Sequence, residues 1–429
     1  MSTIHAPSRQ YWSLINIFLL GNRLLTSLGN IEATPVASLT FVSFTTGDIL
    51  YITGDAKTLV GSEARSLMDR QNVLTTVYTT GYVFVRDALP VRQRPGTEVE
   101  RSPYSPPIRL LNEEKRSNNT TYLSDEVSVT LSSIEIHSDN VATFTWETSN
   151  PVKILPGQAA ILDFTTLVGA PGYQHMAPWN PTSVNDDRIR TWTVSSAHVP
   201  VDGGTQKFEL TMREKPGGTV TGALFAITRK LRDMRPALLK DSTPMSLGVK
   251  LVGIAGDFVL QNPLSPHGSV LPQKLLWIAG GIGLTPYLSM LSAIISGKLD
   301  PTPPSYDILF LLSTREPETL LPLISRTLKL SNTSTPSNLP PIHLHLHVFT
   351  RNPIPAFDTA STPDVISIHF TPHNGRLDKV FFDGLAEDAG LADRSAYLCG
   401  PEEFEKEVLN RLAEIGLDRT AVKREGFEY

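Results

Sequence analysis

Short runs rich in β-branched and aromatic residues dominate the chain as far as residue 272. In the N-terminal part such runs cover residues 33–44, 47–56 and 72–85, and Gly-Asp or Asp-Arg pairs separate them. Runs of this kind, bounded by turn residues, are typical of antiparallel strands. The stretch 94–123 is polar and rich in proline, as an exposed linker is. We therefore predict part of a β-barrel over residues 1–93, followed by a linker.

The strand pattern returns after the linker and then gives way to a different pattern. Strand-like runs dominate residues 124–272, and one clear helix interrupts them near Gly218, which predicts an antiparallel β-barrel. After Lys274, apolar runs alternate with amphipathic stretches, for example DILFLLS followed by ETLLPLISRTL. This alternation predicts a parallel sheet with helices on both faces over residues 273–429. The predicted fold class is thus multidomain: a partial β-barrel, an antiparallel β-barrel, and an α/β domain with a parallel sheet.

Charge and cysteine content restrict the partners and cofactors. A formal net charge of -5 provides no positive field for nucleic acid, so none is expected as a partner. The single cysteine, Cys399, excludes a disulfide framework and a four-cysteine iron–sulfur cluster within this chain. The apolar run Tyr11–Leu20 is shorter than the ~20 residues of a membrane span, so we expect no span. Residues 1–31 carry two arginines and no acid, which weakly resembles an organelle transit peptide; we predict a cytoplasmic protein and leave a mitochondrial location open.

The most informative segment is LLWIAGGIGLTPYLSM at 275–290, where an apolar strand meets a glycine-rich turn and then a helix. Gly280, Gly281 and Gly283 have no side chains to block a pyrophosphate, and the helix start offers free amides and a positive dipole end. The pattern fits a dinucleotide site. It fits equally well an ordinary strand–helix turn that needs glycine only for a positive φ.

Three further segments carry candidate chemistry. In RTWTVSS, Arg190 can pair with a phosphate, and the aromatic ring two residues later can stack on a flavin, although an ordinary strand with a surface arginine has the same pattern. In GGTVTGAL, helix amides and the Thr221 hydroxyl can hold a second phosphate. In YLCGP, Cys399 ends a predicted strand, where it can line a crevice or lie buried as a structural residue.

These segments occur in the order that the ferredoxin-NADP reductase superfamily shows. The chain resembles that superfamily's pattern of Arg-x-Tyr-Ser/Thr-x-Ser, Gly-x-x-Ser/Thr, GGIGxTP, Cys-Gly-Pro, and a C-terminal carboxylate and aromatic, supplied here by REGFEY. The resemblance extends from about residue 125 to 429. It implies a barrel that binds FAD and an α/β domain that binds NAD(P)H.

The resemblance also implies roles for individual residues. Arg190 would pair with the FAD pyrophosphate, Trp192 would flank the flavin, and Thr193 would hydrogen-bond near flavin N5. The implied catalytic residues are Thr193, Cys399 and Glu425. The implied cofactor-binding residues are Arg190, Trp192, Thr193, Ser195, Gly217, Gly218, Thr221, Gly280, Gly281, Gly283, Thr285, Pro286, Thr350, Arg351, Gly400, Pro401 and Phe427. One departure is Trp192, where the family has tyrosine: stacking survives the change, but the phenolic hydrogen bond does not.

The N-terminal part resembles the second half of a split barrel of the pyridoxamine-phosphate-oxidase type, as found fused to such reductases. The matching residues are 22–56 and the later segment FVRDALPVR. Because only a short stretch precedes them, we expect the first strands of the barrel to be missing, so that the barrel is either incomplete or completed by a partner copy in a homodimer. FMN binding at this barrel is left open, without assigned contacts.

The function implied by the resemblance is hydride transfer from NAD(P)H to flavin N5, with electrons passing to an unknown acceptor. That acceptor would be a separate redox protein, a quinone, oxygen or a small metabolite. Two alternatives are a noncatalytic protein with a flavin fold and an enzyme whose working flavin is FMN. Thr350-Arg351 resembles a pair that holds the 2'-phosphate of NADPH, and Arg315 is a second candidate for that contact. Either arginine fits a solvated loop charge equally well, so NADH and NADPH both stay open.

Three histidines alternate along IHLHLHVFT, at 343, 345 and 347. This spacing can bind metal, but a strand covered by helices also buries or hydrogen-bonds its histidines, so no metal is predicted.

Overall fold

The computed structural model falls into two compact units, Met1–Asn118 with Pro171–Asp187 and Asn119–Ala170 with Arg188–Tyr429. The residues that the structure describes are 13–17, 26–68, 73–94, 111, 121–169, 177, 179–197, 204–260, 271–297, 299, 303–329, 339–357, 362–386 and 390–426. The domain boundaries expected from the sequence, 1–93, 94–123, 124–272 and 273–429, stay predictions.

The strands are β1 Ser13–Ile17, β2 Val36–Val42, β3 Ile49–Val60, β4 Val73–Val85, β5 Thr121–Ile136, β6 Val141–Val152, β7 Ala159–Asp163, β8 Ile189–Thr193, β9 Thr205–Arg213, β10 Gly248–Ala255, β11 Lys274–Gly280, β12 Tyr306–Ser313, β13 Ile342–Thr350, β14 Ile366–Asn374, β15 Ser395–Gly400 and β16 Lys423–Gly426. The helices are α1 Thr26–Ala33, α2 Ser62–Leu67, α3 Thr165–Val168, α4 Thr219–Met234, α5 Ala237–Lys240, α6 Thr285–Ile295, α7 Pro317–Lys329, α8 Lys379–Ala386 and α9 Glu402–Glu414.

The first unit is built on a four-stranded antiparallel sheet in the order β1-β4-β3-β2. The strands expected from the three N-terminal runs are β2, β3 and β4. A small core lies where α2 meets the sheet, and it consists of Leu59, Ala64, Met68 and Leu74. The helices α1 and α2 were not predicted, because eight and six residues are too few to establish a helical period in the sequence. Membership of this sheet in a split barrel remains a proposal.

The second unit begins with a six-stranded antiparallel sheet in the order β8-β7-β10-β5-β6-β9. The two edge strands meet just past β8, where the amide of Ser195 donates to the carbonyl of Glu209 at 2.9 Å, so the sheet closes into a barrel. Aromatic side chains such as Phe144, Trp146 and Phe208 fill the interior and are fully buried. The helix expected near Gly218 is α4, whose buried residues pack on this core.

The rest of the second unit is a six-stranded parallel sheet in the order β14-β13-β12-β11-β15-β16. Successive residues of β11 point to opposite faces. Trp277 therefore enters a core cluster shared with α6 and α7, and Leu276 enters a cluster shared with α8 and α9. Both faces are covered by helices, as the alternating pattern predicted.

The order of the parallel strands reverses beside β11. From β11 the chain proceeds outward through β12, β13 and β14, and it then returns to place β15 and β16 on the other side of β11. In sheets of this kind, ligands bind outside the carboxyl ends of the strands at the point of reversal. The fold itself thus directs attention to the ends of β11 and β15.

Within the described residues, the structure contains no helix that combines the length and the apolar character needed to cross a membrane.

Candidate functional site

The glycine-rich turn and the Cys-Gly-Pro segment both lie at this point of reversal. β11 ends at Gly280 and β15 ends at Gly400, and the two strands are paired in parallel up to Ala279 and Cys399. Two segments that are far apart in sequence therefore meet at the carboxyl edge of the sheet. A single sequence shows the composition of each segment but does not show that they are neighbours.

Each of the three positions in the turn requires glycine for a different structural reason. A Cβ on Gly280 would lie 2.7 Å from the Phe404 ring, and one on Gly283 would lie 2.4 Å from the Cys399 carbonyl oxygen. Gly281 has a φ of +56°, and a Cβ there would meet nothing within 4 Å in the described structure. Packing accounts for Gly280 and Gly283, so Gly281 is the glycine that faces open space.

The helix α6 begins directly after this turn. A 3-10 turn over Gly281–Leu284 leads into Thr285, and Pro286 occupies the first helical turn, where its missing amide costs no hydrogen bond. Thr285 and Pro286 are buried. The arrangement is strand, tight turn and helix start, and a helix start of this kind favours an anion.

Cys399 lies beneath the turn with no solvent-exposed surface, as part of the core cluster that contains Trp277 and Tyr287. Burial raises the pKa of its thiol well above the ordinary value, and the carboxylates of Glu425 and Glu405 raise it further. The thiol is therefore neutral at physiological pH. Gly400 packs under the Phe404 ring, and Pro401 precedes the first residue of α9.

The strand β8 carries the RTWT part of the second motif. Arg190 and Trp192 alternate with Thr191 and Thr193, so the two pairs point to opposite faces of the strand. The Trp192 ring meets the buried Phe164 ring edge to face at 5.4 Å. Arg190 is partly buried, and one of its guanidinium nitrogens donates to the Ile189 carbonyl at 2.7 Å. The motif arginine and aromatic thus share one face of β8, as the sequence predicted.

Thr193 joins the barrel to the last strand of the parallel sheet. Its hydroxyl donates to Oε1 of Glu425 at 3.2 Å, across 232 positions of the sequence. Glu425 pairs in register with Cys399 between β16 and β15. The three residues expected to be catalytic therefore come together at one place.

Glu425 is in an unusual environment for a carboxylate. Burial raises its pKa to about 7, and the hydrogen bond from Thr193 only partly offsets this effect. Its Oε2 atom is buried without a hydrogen-bond partner among the described residues. A buried carboxyl group with an open acceptor and a pKa near neutrality is suited to hold or release a proton at physiological pH.

Ser195 ends a chain of buried hydroxyl groups that sequence reasoning missed. Its Oγ lies 2.9 Å from the Thr211 hydroxyl, which lies 2.8 Å from the Thr143 hydroxyl, and that hydroxyl lies 2.7 Å from Nε2 of His137. The strands β6 and β9 pair Thr143 directly with Thr211. No local pattern reveals such a chain, because it depends on the register of three strands.

The third predicted motif forms the start of α4. Gly217 has a φ of +70°, and Gly218 is the N-cap residue of the helix. The Thr221 hydroxyl accepts a hydrogen bond from the Lys215 amide at 3.1 Å and thereby closes the turn. Thr221 has a structural partner already, and the first amides of α4 are the groups that remain for a phosphate.

Two exposed arginines lie at the carboxyl ends of β12 and β13. Arg315 follows β12 and Arg351 follows β13. The two loops are linked by the Asn352 side chain, which donates to the Arg315 carbonyl at 2.5 Å, and by the Thr314 amide, which donates to the Phe349 carbonyl. Thr350 is buried, and its hydroxyl accepts from the Asn352 amide. The two candidate contacts for a 2'-phosphate are thus held on neighbouring loops.

Contacts between the barrel and the parallel sheet keep the two halves of the site in place. The Phe258 ring meets the rings of Tyr287 and Tyr397 at 5.8 and 5.4 Å. The Gly157 amide donates to the Ser289 hydroxyl on α6 at 2.9 Å. These residues belong to no motif, and only the tertiary structure identifies them.

The alternating histidines pair with histidines of the neighbouring strand. Nδ1 of His347 lies 2.9 Å from Nε2 of His373, and the His345 ring stacks on His369 at 5.0 Å. In the described part of the chain no three His, Cys, Asp or Glu side chains are grouped to hold a metal ion. Phe427, the last predicted contact, lies outside the described residues.

Comparison with known proteins gives remote structural similarity. No protein-family model and no curated protein matches the chain. The flavohem-like FAD/NAD binding domain of nitric oxide dioxygenase from Vibrio cholerae is similar at 16% identity and a TM-score of 0.43, over 71% of this chain and 99% of that chain. A ferredoxin NADP+ reductase from Neisseria gonorrhoeae is similar at 13% identity and a TM-score of 0.42, over 71% and 99%. The cytochrome b5 reductase domain of Ulva prolifera nitrate reductase is similar at 15% identity and a TM-score of 0.44, over 72% and 100%.

Proposed function

We propose that the chain is a flavin-containing oxidoreductase that takes hydride from NAD(P)H onto FAD and passes the electrons to an external acceptor. The observation that carries the proposal is the Thr193–Glu425 hydrogen bond. It brings β8 of the barrel to the carboxyl end of the edge strand β16, where Glu425 lies in register with Cys399 of β15. Two nucleotide sites, one on each part of the fold, would thereby share one crevice.

The residues present fit such cofactors. The open space beside Gly281 accommodates a group that any side chain there would obstruct. The Oε2 atom of Glu425, buried and without a partner among the described residues, requires a donor that the chain does not supply there. Both features agree with a bound polar ligand and are unexplained in a purely structural role.

FAD would be held by β8 and by the start of α4. Arg190 would pair with its pyrophosphate, Trp192 would flank the ring system, and the Thr193 hydroxyl would lie near N5. Ser195, Gly217, Gly218 and Thr221 would complete the site. A single turn and one strand would thus provide both the phosphate contacts and the ring contacts.

The nicotinamide nucleotide would lie along the carboxyl edge of the parallel sheet. The turn after β11, the start of α6 with Thr285 and Pro286, and the Gly400-Pro401 segment would hold it. Thr350 and Arg351 would contact a 2'-phosphate, with Arg315 beside them, and these arginines favour NADPH over NADH.

Bound flavin supplies the two-electron chemistry, and the chain supplies alignment and electrostatics. The Thr193 hydroxyl positions the Glu425 carboxyl group. Because the pKa of Glu425 is about 7, this group holds a proton at the site under mildly acidic conditions and releases it above neutrality. The neutral, fully buried Cys399 thiol contributes a small side chain without charge at the same place.

The acceptor lies outside this chain or is a small molecule. The single cysteine leaves no set of four thiolates for an iron–sulfur cluster within the sequence. A separate redox protein, a quinone, oxygen and a small metabolite all remain candidates.

The four-stranded sheet of the first unit supports a related proposal. We infer that it is part of a split barrel that a second copy of the chain completes, and an FMN site at that barrel would depend on this assembly. Identification of the flavin extracted from purified protein separates this arrangement from the main proposal, because FMN and FAD differ in mass.

Arg190 provides the first test of the main proposal. Loss of its charge-assisted contacts should cost about 1.5–3 kcal/mol, so Arg190→Ala should retain FAD roughly tenfold to a hundredfold less well. The measurement is flavin content after purification and dialysis, with Arg232→Ala on the exposed side of α4 as the matched control. Unchanged FAD content in Arg190→Ala would contradict the assignment. Wild-type protein that takes up no flavin at all would favour a noncatalytic role.

A further inference from the structure

A cavity lies at the β16 edge of the parallel sheet. It has a volume of about 490 Å³ and lies between α9, the 3-10 turn Arg419–Ala421 and the edge strand β16. It is lined by Lys406, Leu409, Asn410, Arg419, Thr420 and Arg424. Its volume is within the ~300–1,000 Å³ that is common for small-molecule sites.

This cavity is separate from the candidate functional site. Arg424 and Glu425 are adjacent on β16, so their side chains point to opposite faces of the sheet. Glu425 faces Thr193 of the barrel, whereas Arg424 lines the cavity beside α9. A ligand in the cavity would therefore not compete for the groups around Glu425.

Five of the six side chains that line the cavity are cationic or polar, and the sixth is Leu409. Lys406, Arg419 and Arg424 carry positive charge, Asn410 and Thr420 add hydrogen-bonding groups, and no acidic side chain lines the cavity. Among the nearby carboxylates, Glu402 pairs with Lys406 at 2.8 Å and offsets one of the three positive charges, and Glu405 is buried near Arg424. Asp418 accepts from the Thr420 amide at 2.9 Å. Arg419 and Arg424 form no ion pair with any residue that the structure describes, so their positive charge predominates inside.

Two of the cationic groups are arranged to receive an anion. A guanidinium nitrogen of Arg419 donates to Oδ1 of Asn410 at 2.7 Å, which fixes both side chains on the cavity wall. The Arg424 guanidinium group makes no hydrogen bond or ion pair with any residue that the structure describes. Burial raises the pKa of the neighbouring Glu405, and the positive charge of Arg424 offsets part of this rise. A planar guanidinium group with free donors matches the oxygen pairs of phosphate.

The helix α9 brings its contributions to one side of the cavity. Leu409 and Asn410 follow Lys406 at spacings of three and four residues, so both lie beside it on one side of the helix. Leu409 gives that face an apolar floor between the charged groups. The wall thus combines three charges with a patch that an organic group can contact.

We propose that this cavity binds a small molecule that carries phosphate groups, with Arg419 and Arg424 as the principal contacts and Lys406 as the third charge. The ligand could be an organic phosphate or inorganic pyrophosphate, and the shared chemistry is a compact group of phosphate oxygens. The site is distinct from the nucleotide sites of the proposed function.

The proposal is tested with pyrophosphate as the probe and isothermal titration calorimetry as the readout, at constant ionic strength on the full-length protein. The double variant Arg419→Gln with Arg424→Gln should lose at least tenfold in affinity for one binding event. Arg411→Gln is the matched control, since Arg411 lies on the same helix, pairs with Glu414 at 3.0 Å and does not line the cavity. It should bind as the wild type does.

Three further measurements keep the outcome unambiguous. Arg190→Ala should leave this binding event unchanged, because Arg190 belongs to the proposed FAD site and not to the cavity. Lys406→Gln replaces the double variant as the test if that variant does not fold. It changes an exposed position and should weaken binding. Equal affinity in wild type and cavity variants, or no saturable binding to folded wild type, would overturn the proposal.

Glucose 6-phosphate in place of pyrophosphate then distinguishes an organic phosphate from an inorganic one. The readout needs no flavin, so failure here is separate from failure of the proposed function.

Discussion

The glycine-rich turn shows what a sequence motif reveals about single residues, in this case Gly280, Gly281 and Gly283. The sequence predicts the turn and its place between a strand and a helix. It does not reveal that Gly280 makes room for Phe404 or that Gly283 lies against the Cys399 carbonyl, because both neighbours come from a segment more than a hundred residues later. One run of glycines therefore combines two packing constraints with one open position.

Substitution at these glycines should separate the two kinds of constraint. Gly281→Ala should fold with a loss of about 1–2 kcal/mol from its left-handed backbone and should raise the KM for the nicotinamide nucleotide. Gly283→Ala should reduce stability much more, because its Cβ would collide with a backbone carbonyl. Thermal unfolding and steady-state kinetics check both. Equal destabilisation by the two changes would contradict this distinction.

The C-terminal motif placed Glu425 in the expected site, but the raised pKa of its carboxyl group is a consequence of the tertiary structure. The sequence places it after a strand, and only the fold shows that burial and a single hydroxyl donor surround it. The same holds for the chain of hydroxyl groups from Ser195 to His137.

Turnover should therefore depend on pH through Glu425. The wild type should show an inflection near pH 7, because the raised pKa keeps the carboxyl group protonated up to about that value. Glu425→Gln should remove this inflection and slow turnover by roughly 10²-fold. Glu414→Gln, a change at an ion-paired residue of α9, is the control and should preserve the profile. A persistent inflection in Glu425→Gln would assign it to another group.

At the scale of elements, regular patterns were predictable and short or register-dependent features were not. The alternation of apolar runs and amphipathic stretches predicted the parallel sheet and the helices on its faces. The pairing of β13 with β14 brings His347 to His373, but the two strands are separated by a stretch that gives no register information. The histidine spacing alone left metal binding and structural burial as alternatives.

The contact of His347 with His373 between β13 and β14 should make the stability of the folded protein sensitive to acid. Burial, together with the neighbouring His373 and His345, lowers the pKa of His347 to about 4, so the folded protein keeps it neutral where the unfolded chain is protonated. The contribution of neutral His347 to the free energy of unfolding is complete above the unfolded pKa of 6.5 and is lost as the pH falls toward 4.

Thermal denaturation at several pH values checks this expectation. His347→Gln should lose less stability than the wild type between pH 6.5 and 4, and His343→Gln, at an exposed position of the same strand, should behave as the wild type does. Parallel pH profiles for wild type and His347→Gln would show that another group controls acid sensitivity.

At the scale of the whole molecule, the order of the elements predicted more than any single motif. The succession of an antiparallel barrel and a parallel sheet was predictable, because each has a characteristic hydrophobic period. The convergence of β8, β11, β15 and β16 was not predictable from periods alone, since it depends on strand order and on the closure of the barrel. The resemblance in the order of the motifs implied only that these segments share a site.

Under the proposed function, this assembled edge would determine the preference for NADPH or NADH. The double variant Arg315→Ala with Arg351→Ala should raise the KM for NADPH about tenfold or more and leave the KM for NADH unchanged, because only NADPH carries the 2'-phosphate. Lys379→Ala, a change at an exposed ion-paired residue of α8, should alter neither value. A similar rise for both nucleotides would show that the arginines do not contact the 2'-phosphate.

The most direct test of the central claim is rapid anaerobic mixing of the purified wild type with NADPH or NADH while the visible absorbance of bound flavin is followed. Transfer of hydride across one shared crevice predicts saturable bleaching of the flavin with at least one of the two nucleotides, and recovery of the absorbance when an acceptor is added. Flavin that remains bound and oxidised in the presence of either nucleotide would contradict the account.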